Sequence, residues 1–131
     1  MIEPRTVLLL GASGMGMAPL ALYLQGAGVG VEAYDDRFCE PLRSMMIDSG
    51  ITVLSEPTPI NKPDCVIRSS AIKETDERVQ SFLLQGVTIY QRGDFISRLL
   101  EGKSIVAVVG SHGKTSTTGM LVWGLKQINF S

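Results

Sequence analysis

Short apolar segments alternate along this chain with segments whose apolar residues recur at helical spacing. Between the apolar segments, residues such as Met17, Leu20 and Leu24 lie three or four positions apart, which is typical of a helix packed on one face. The apolar segments have the length and character of buried strands and comprise residues 7–10, 29–34, 51–54, 65–67, 87–90 and 105–109. Strands that alternate with helices in this way predict a doubly wound, Rossmann-like α/β fold with a parallel sheet.

Glycine and proline mark the ends of these predicted elements. Gly26 and Gly28 end the first helix, Pro41 opens the second, and Gly50 ends it. Residues 56–63 contain three prolines and are predicted to form a loop. The sixth strand and the helical pattern of Met120, Leu121 and Leu125 complete the alternation.

Composition excludes several classes of protein. Of the 131 residues, 44% are hydrophobic and 19% are charged, which is typical of a folded globular domain. The formal net charge of −1 gives no reason to expect binding to nucleic acid or to a membrane surface. Cys39 and Cys65 form no metal-ligand spacing, and residues 1–5 lack the basic region of a secretory signal. We therefore expect free thiols and a cytoplasmic location.

A glycine-rich loop follows the first predicted strand. Residues 11–16 read GASGMG, and this strand–helix junction is where a doubly wound sheet binds a ligand phosphate. The dinucleotide fingerprint has glycine where this chain has Ser13, whereas Asp35 stands where that fold receives a ribose hydroxyl. These residues alone leave open NAD(P), another nucleotide, or a tight turn without a ligand.

A second glycine loop follows the sixth predicted strand. Residues 110–115 read GSHGKT, and a Gly-Lys-Thr between a strand and a helix is typical of a loop that binds nucleotide phosphates. Lys114 would neutralise the β- and γ-phosphates and the Thr115 hydroxyl would ligate Mg²⁺. Only two residues separate the glycines where the usual loop has four, so a tight turn is the alternative. The predicted ATP-binding residues are Gly110, Ser111, His112, Gly113, Lys114, Thr115 and Ser116.

The two loops, in this order and at this separation, resemble those of the Mur ligases. Residues 110–118, GSHGKTSTT, are similar to the family's G-T-[HN]-G-K-[TS]-[TS]-T, and His112 is typical of members that act on UDP-N-acetylmuramate itself. Residues 11–17 resemble the G-x-G-G-x-G-M loop of the L-alanine-adding members, with Ser13 in place of one glycine. The resemblance implies catalytic roles for Lys114, Thr115 and His112.

Other segments extend this resemblance over the whole chain. Residues 69–72, SSAI, match the family's S-S-A-[IV], and residues 31–35 stand where the family has V-S-G-S-D. Arg92 and Asp94 stand at an R-x-E position, whereas residues 76–78, DER, depart from the family's Asn-Pro-Glu. The resemblance implies a substrate-binding set of Gly14, Gly16, Asp35, Ser70 and Arg92.

The resemblance also implies a domain organisation and an activity. Residues 1–102 would form a UDP-sugar-binding domain, and residues 103–131 would begin an ATP-binding central domain. The implied reaction joins L-alanine to the carboxylate of UDP-N-acetylmuramate through an acyl phosphate, with ATP and Mg²⁺. Because only 13 residues follow Thr118, we expect the chain to be part of a longer enzyme and to be inactive alone.

Three alternatives are retained. A peptide-adding UDP-N-acetylmuramate ligase of cell-wall recycling shares the histidine loop, and residues 69–72 favour the L-alanine-adding members over it. An NAD(P)-binding oxidoreductase domain would account for the first loop and leave the second unexplained. A nucleotide-binding module without catalytic activity is the third.

Overall fold

A computed structural model describes residues 4–128, which divide into two compact units. The first unit is Met1–Glu101 and the second is Gly102–Ser131. The first unit contains five strands and four helices, which alternate except that β3 is followed by β4 without a helix between them. The strands are β1 (Thr6–Leu10), β2 (Gly30–Tyr34), β3 (Thr52–Val53), β4 (Cys65–Arg68) and β5 (Thr88–Gln91). The helices are α1 (Met17–Gly26), α2 (Glu40–Asp48), α3 (Glu77–Leu84) and α4 (Arg92–Leu99).

The five strands form one parallel sheet in the order β3-β2-β1-β4-β5. β1 is central, and its Leu8 aligns with Glu32 of β2 on one side and with Val66 of β4 on the other. The strand order reverses between β1 and β4, so the carboxyl ends of these two strands form the switch point where such sheets bind ligands. The predicted doubly wound α/β fold is confirmed for this unit.

Two apolar clusters cover the two faces of the sheet. Val7 and Leu9 of β1 belong to the cluster that also contains side chains of α1, α2 and α4. Leu8 and Leu10 belong to the opposite cluster, which includes Val79 and Phe82 of α3. Alternate residues of a strand point to opposite faces, so residues 7–10 of β1 are all apolar because both faces of the strand are buried there.

The second unit differs from the predicted fold in one respect. Residues 105–109 were predicted to form a sixth strand, but they form none, and the unit's single described helix is α5 (Lys114–Gln127). A strand requires a neighbouring strand to complete its hydrogen bonds, and the five strands that the structure describes all belong to the first unit. No helix among residues 4–128 is long and apolar enough to cross a membrane.

Candidate functional site

An open cleft of about 550 Å³ lies at the switch point of the sheet. It is bounded by the loops that follow β1, β2 and β4, which meet there because the three strands are parallel and adjacent. The residues that line it are Gly11, Ser13, Gly14, Asp35, Asp36, Ser69, Ala71, Ile72, Lys73, Thr75, Asp76 and Arg78. Two residues of the predicted substrate-binding set, Gly14 and Asp35, are among them.

The first glycine loop is anchored at Gly11. Its φ of +75° lies in the left-handed region, and a Cβ built there would be 2.8 Å from the Cβ of Ser69. The N–H groups of Gly11 and Ala12 donate to the Tyr34 carbonyl at 2.9 and 3.0 Å, which ties the start of the loop to the end of β2. Glycine is therefore required at this position by backbone conformation and by close packing.

The loop then turns into α1 and leaves donors at the helix N-terminus. The Gly14 carbonyl accepts from the N–H groups of Met17 and Ala18 at 2.9 and 3.0 Å. The N–H groups of Met15 and Gly16 donate to no group of residues 4–128. The first turn of α1 contains no acidic residue. The positive end of the helix dipole and these two donors are thus available to an anion.

Arg92 lies directly over this helix N-terminus. A Cβ built on Gly16 would be 2.5 Å from Cζ of Arg92 and closer still to its Nη1. Arg92 is the first residue of α4, and it forms no ion pair within the described chain. A guanidinium without a carboxylate partner beside unpaired backbone N–H groups has the chemistry of a phosphate-binding site. The structure thus brings Gly14, Gly16 and Arg92 together.

Asp35 fastens the middle of the loop. Its Oδ2 atom accepts hydrogen bonds from the backbone N–H and the hydroxyl of Ser13, at 2.9 and 2.7 Å. Its Oδ1 atom accepts from the N–H of Arg37 at 2.9 Å. Ser13, which replaces a fingerprint glycine, therefore makes the two hydrogen bonds that join the loop to this carboxylate.

A charged network forms the opposite side of the cleft. Arg78 holds Asp76 through two hydrogen bonds of 2.8 Å and reaches Asp36 at 3.0 Å. The hydrogen bonds from Arg78 lower the pKa of Asp76. The hydroxyl of Tyr34, and then Arg78, lower the pKa of Asp36. This network is not among the predicted site residues, although Asp76 before a helical pattern is a recognisable N-cap signal.

Ser70 lies beside the cleft without lining it. Its neighbour Ser69 lines the cleft wall, and the Ser69 hydroxyl accepts from the N–H of Ala71 at 3.3 Å. Ser70 is exposed in the turn that follows β4. The substrate-binding role of Ser70 therefore stays a prediction, and Ser69 is the serine whose position in the cleft is visible.

The second glycine loop turns tightly into α5. Gly113 caps α5 in the left-handed conformation, with φ of +75°, and Gly110 has φ of +155°. The Nζ atom of Lys114 donates to the Gly110 carbonyl at 2.7 Å, so this side chain folds back over the loop. The first turn of α5 contains no acidic residue, and the helix extends for 14 residues. Backbone donors, helix dipole and one lysine thus lie together.

The remaining residues of this loop are exposed. Ser111, His112, Thr115 and Ser116 are all on the surface of the described chain. Among residues 4–128, no group of three or more His, Cys, Asp or Glu side chains could hold a metal ion. The assignment of Thr115 to Mg²⁺ therefore stays a prediction.

The fold and the cleft define a doubly wound α/β domain with a glycine-rich loop at its switch point. No family model matches the chain. A UDP-N-acetylmuramate–L-alanine ligase from Fusobacterium nucleatum is 36% identical over 117 residues, which cover 86% of this chain and 24% of that protein. The corresponding ligase from Kineococcus radiotolerans is 32% identical over 122 residues, which cover 89% and 26%.

Two solved structures share the fold. A murein peptide ligase from Psychrobacter arcticus has a TM-score of 0.83 and 28% identity, over 95% of this chain and 27% of that one. A UDP-N-acetylmuramate–alanine ligase from Thermotoga maritima also has a TM-score of 0.83, with 25% identity, over 95% and 30%. The chain belongs to the Mur ligase family. It spans about a quarter of the length of the curated relatives it matches.

Proposed function

We propose that the first unit binds UDP-N-acetylmuramate and that the chain is part of a ligase that adds L-alanine to this substrate. The observation that carries the proposal is the Arg92 guanidinium over Gly16, at the N-terminus of α1 and beside the cleft. A diphosphate is the part of a UDP-sugar that such a site recognises, because it offers several anionic oxygens to backbone N–H groups and a guanidinium.

The diphosphate is proposed to lie along the loop that contains Gly14 and Gly16. The N–H groups of Met15 and Gly16 would donate to its oxygens, and Arg92 would neutralise its charge. The uridine and the sugar would extend into the cleft, whose border includes Asp35 and lies next to Ser70. The charge of the ligand supports this orientation, since Arg92 and the positive end of α1 lie together.

The second unit is proposed to bind the phosphates of ATP. The positive-φ glycines allow phosphate oxygens to approach the backbone closely, and Lys114 already lies over the loop. The residues present also fit Mg²⁺, because this ion is held largely by substrate phosphates and water, with Thr115 as a protein ligand. The proposed ATP-binding set is that of the sequence analysis: Gly110, Ser111, His112, Gly113, Lys114, Thr115 and Ser116.

In the proposed reaction, the muramyl carboxylate attacks the γ-phosphorus of ATP and ADP leaves. The amine of L-alanine then attacks the carbonyl carbon of the acyl phosphate, which releases inorganic phosphate and forms the amide. Lys114 would stabilise the negative charge on the transferred group, and Thr115 and His112 would help to position it. ATP and UDP-N-acetylmuramate are both cytoplasmic metabolites, so we propose that the reaction occurs in the cytoplasm.

A peptide-adding ligase of the same family is the second candidate. It is supported by the likeness to the Psychrobacter arcticus murein peptide ligase, whose TM-score equals that of the Thermotoga maritima alanine ligase. The curated relatives named above, by contrast, are alanine ligases. Assaying the whole protein with L-alanine and with the murein tripeptide separates the two candidates.

Calorimetry on the 131-residue chain tests the UDP-sugar proposal. We expect UDP-N-acetylmuramate to bind and NADH to give no heat of binding, because Ser13 stands where the dinucleotide fingerprint has glycine. Binding of NADH in the absence of binding to UDP-N-acetylmuramate would contradict the proposal. The chain alone is expected to form no UDP-N-acetylmuramoyl-L-alanine from ATP and L-alanine.

A further inference from the structure

The carboxylate of Asp35 is already engaged by the protein. Ser13 donates to Oδ2 through its N–H at 2.9 Å and its hydroxyl at 2.7 Å, and the N–H of Arg37 donates to Oδ1 at 2.9 Å. A carboxylate oxygen accepts about two hydrogen bonds, so Oδ2 is saturated and Oδ1 has one lone pair left. In a dinucleotide-binding domain, the acidic residue at this position receives ribose hydroxyls.

The hydrogen bonds of Asp35 belong to a larger attachment of the first loop. Gly11 and Ala12 donate to the Tyr34 carbonyl, and Ser13 donates twice to Asp35. Three consecutive loop residues are thereby fixed to the end of β2 by four hydrogen bonds. The next residue, Gly14, opens the turn whose N–H groups face the proposed diphosphate.

We propose that Asp35 is a positioning residue that acts through Ser13, and that it does not recognise the ribose. The inference rests on the proposed UDP-sugar site and refines the role of Asp35 within it. The Ser13–Asp35 pair holds the loop in its binding conformation before the ligand arrives, so less conformational freedom is lost on binding. Ser13 has a hydroxyl that makes part of this attachment, which the glycine that it replaces could not do.

The first test is a double-mutant cycle with uridine diphosphate as the probe. We expect Ser13→Ala to weaken binding about fivefold and Asp35→Ala about tenfold, which are smaller losses than that of a hydrogen bond made directly to the ligand, because both residues act through the loop. Because the one hydrogen bond that Ser13→Ala removes is also removed by Asp35→Ala, the double variant should bind like Asp35→Ala. Losses that multiply, or Ser13→Ala binding like the wild type, would overturn the inference.

The second test asks whether Asp35 contacts the ribose. The affinities of the 2′-deoxy and 3′-deoxy forms of uridine diphosphate are compared with that of uridine diphosphate, for the wild type and for Asp35→Ala. We expect the same ratios in both proteins, whereas a carboxylate that received a ribose hydroxyl would give a preference that Asp35→Ala abolishes. A merely structural effect on the fold would not move this ratio.

Two controls keep the outcomes distinct. Ser13→Thr retains the hydroxyl and should restore most of the affinity that Ser13→Ala loses. Circular dichroism confirms that each variant is folded, and Asp35→Val, which has no hydrogen-bond acceptor, replaces Asp35→Ala in both tests if the latter does not fold. A wild-type chain that bound no uridine diphosphate would overturn the proposed function and this inference together, whereas a multiplying cycle would overturn the inference alone.

Discussion

Replacing Gly16 by alanine should remove Arg92 from the proposed diphosphate site without disturbing the fold. The new methyl group would lie 2.5 Å from Cζ of Arg92 and closer to Nη1, so the guanidinium has to move away. The backbone of Gly16 has φ of −94° and ψ of −19°, which alanine adopts freely. The atoms displaced are the far end of a flexible side chain, so we expect stability to change by less than about 1 kcal/mol.

The expected loss of affinity follows from the contact that is lost. A hydrogen bond to a charged partner contributes about 1.5–3 kcal/mol. Its removal should raise the Kd for uridine diphosphate by about 10- to 100-fold. Arg92→Ala should give a similar loss, and the double variant should lose little more, because both changes remove the same guanidinium. Isothermal calorimetry on the 131-residue chain measures all three.

Gly26→Ala is the matched control. It makes the same substitution at the last residue of α1, at the end remote from the cleft, where a Cβ would meet nothing within 4 Å. It should leave the Kd unchanged. If Gly16→Ala bound uridine diphosphate as tightly as Gly26→Ala does, Arg92 would have no part in binding the diphosphate. Equal losses in both variants would attribute the effect to α1 as a whole.

Three further predictions concern other parts of the molecule. In the whole protein, Lys114→Ala should lower ATP-dependent turnover about 100-fold or more and leave UDP-sugar affinity unchanged. Unchanged turnover in kinetics with weakened UDP-sugar binding in calorimetry would contradict the ATP assignment. Arg78→Ala should lower the free energy of unfolding by about 1–2 kcal/mol at pH 7. Arg78 lowers the pKa of Asp76 in the folded state, so the difference in stability between wild type and variant should shrink as pH falls below about 4. A difference in thermal unfolding that did not change with pH would refute the ion pair. A thiol reagent should modify exposed Cys39 rapidly and Cys65 only after unfolding, since burial raises the pKa of Cys65 to about 11; two fast thiols in the native chain would disprove this.

The order of strands and helices was predictable from the sequence because the buried faces of an element set the spacing of its apolar residues. Residues 7–10 of β1 are all apolar since both faces of the central strand are covered, and α3 repeats its apolar residues where one face meets the sheet. Gly11 and Gly113 mark points where the chain needs a positive φ, and both predicted loops are found at these glycines. For residues 105–109 the apolar pattern alone was not enough to predict a strand, because an apolar segment becomes a strand only beside another strand.

The ion pairs and close contacts of the candidate site depended on the tertiary structure. Arg78 reaches Asp36 across 42 positions of sequence, and Arg92 lies over Gly16 across a still longer separation. Such contacts arise because parallel strands bring distant loops to one edge of the sheet, and no local pattern encodes which side chains then meet.

Asp35 illustrates the division between sequence and structure. An acidic residue directly after β2 could be predicted from the sequence alone. That Ser13 occupies its carboxylate could not, because the direction of a side chain and its remaining lone pairs depend on the packed geometry of two separate loops.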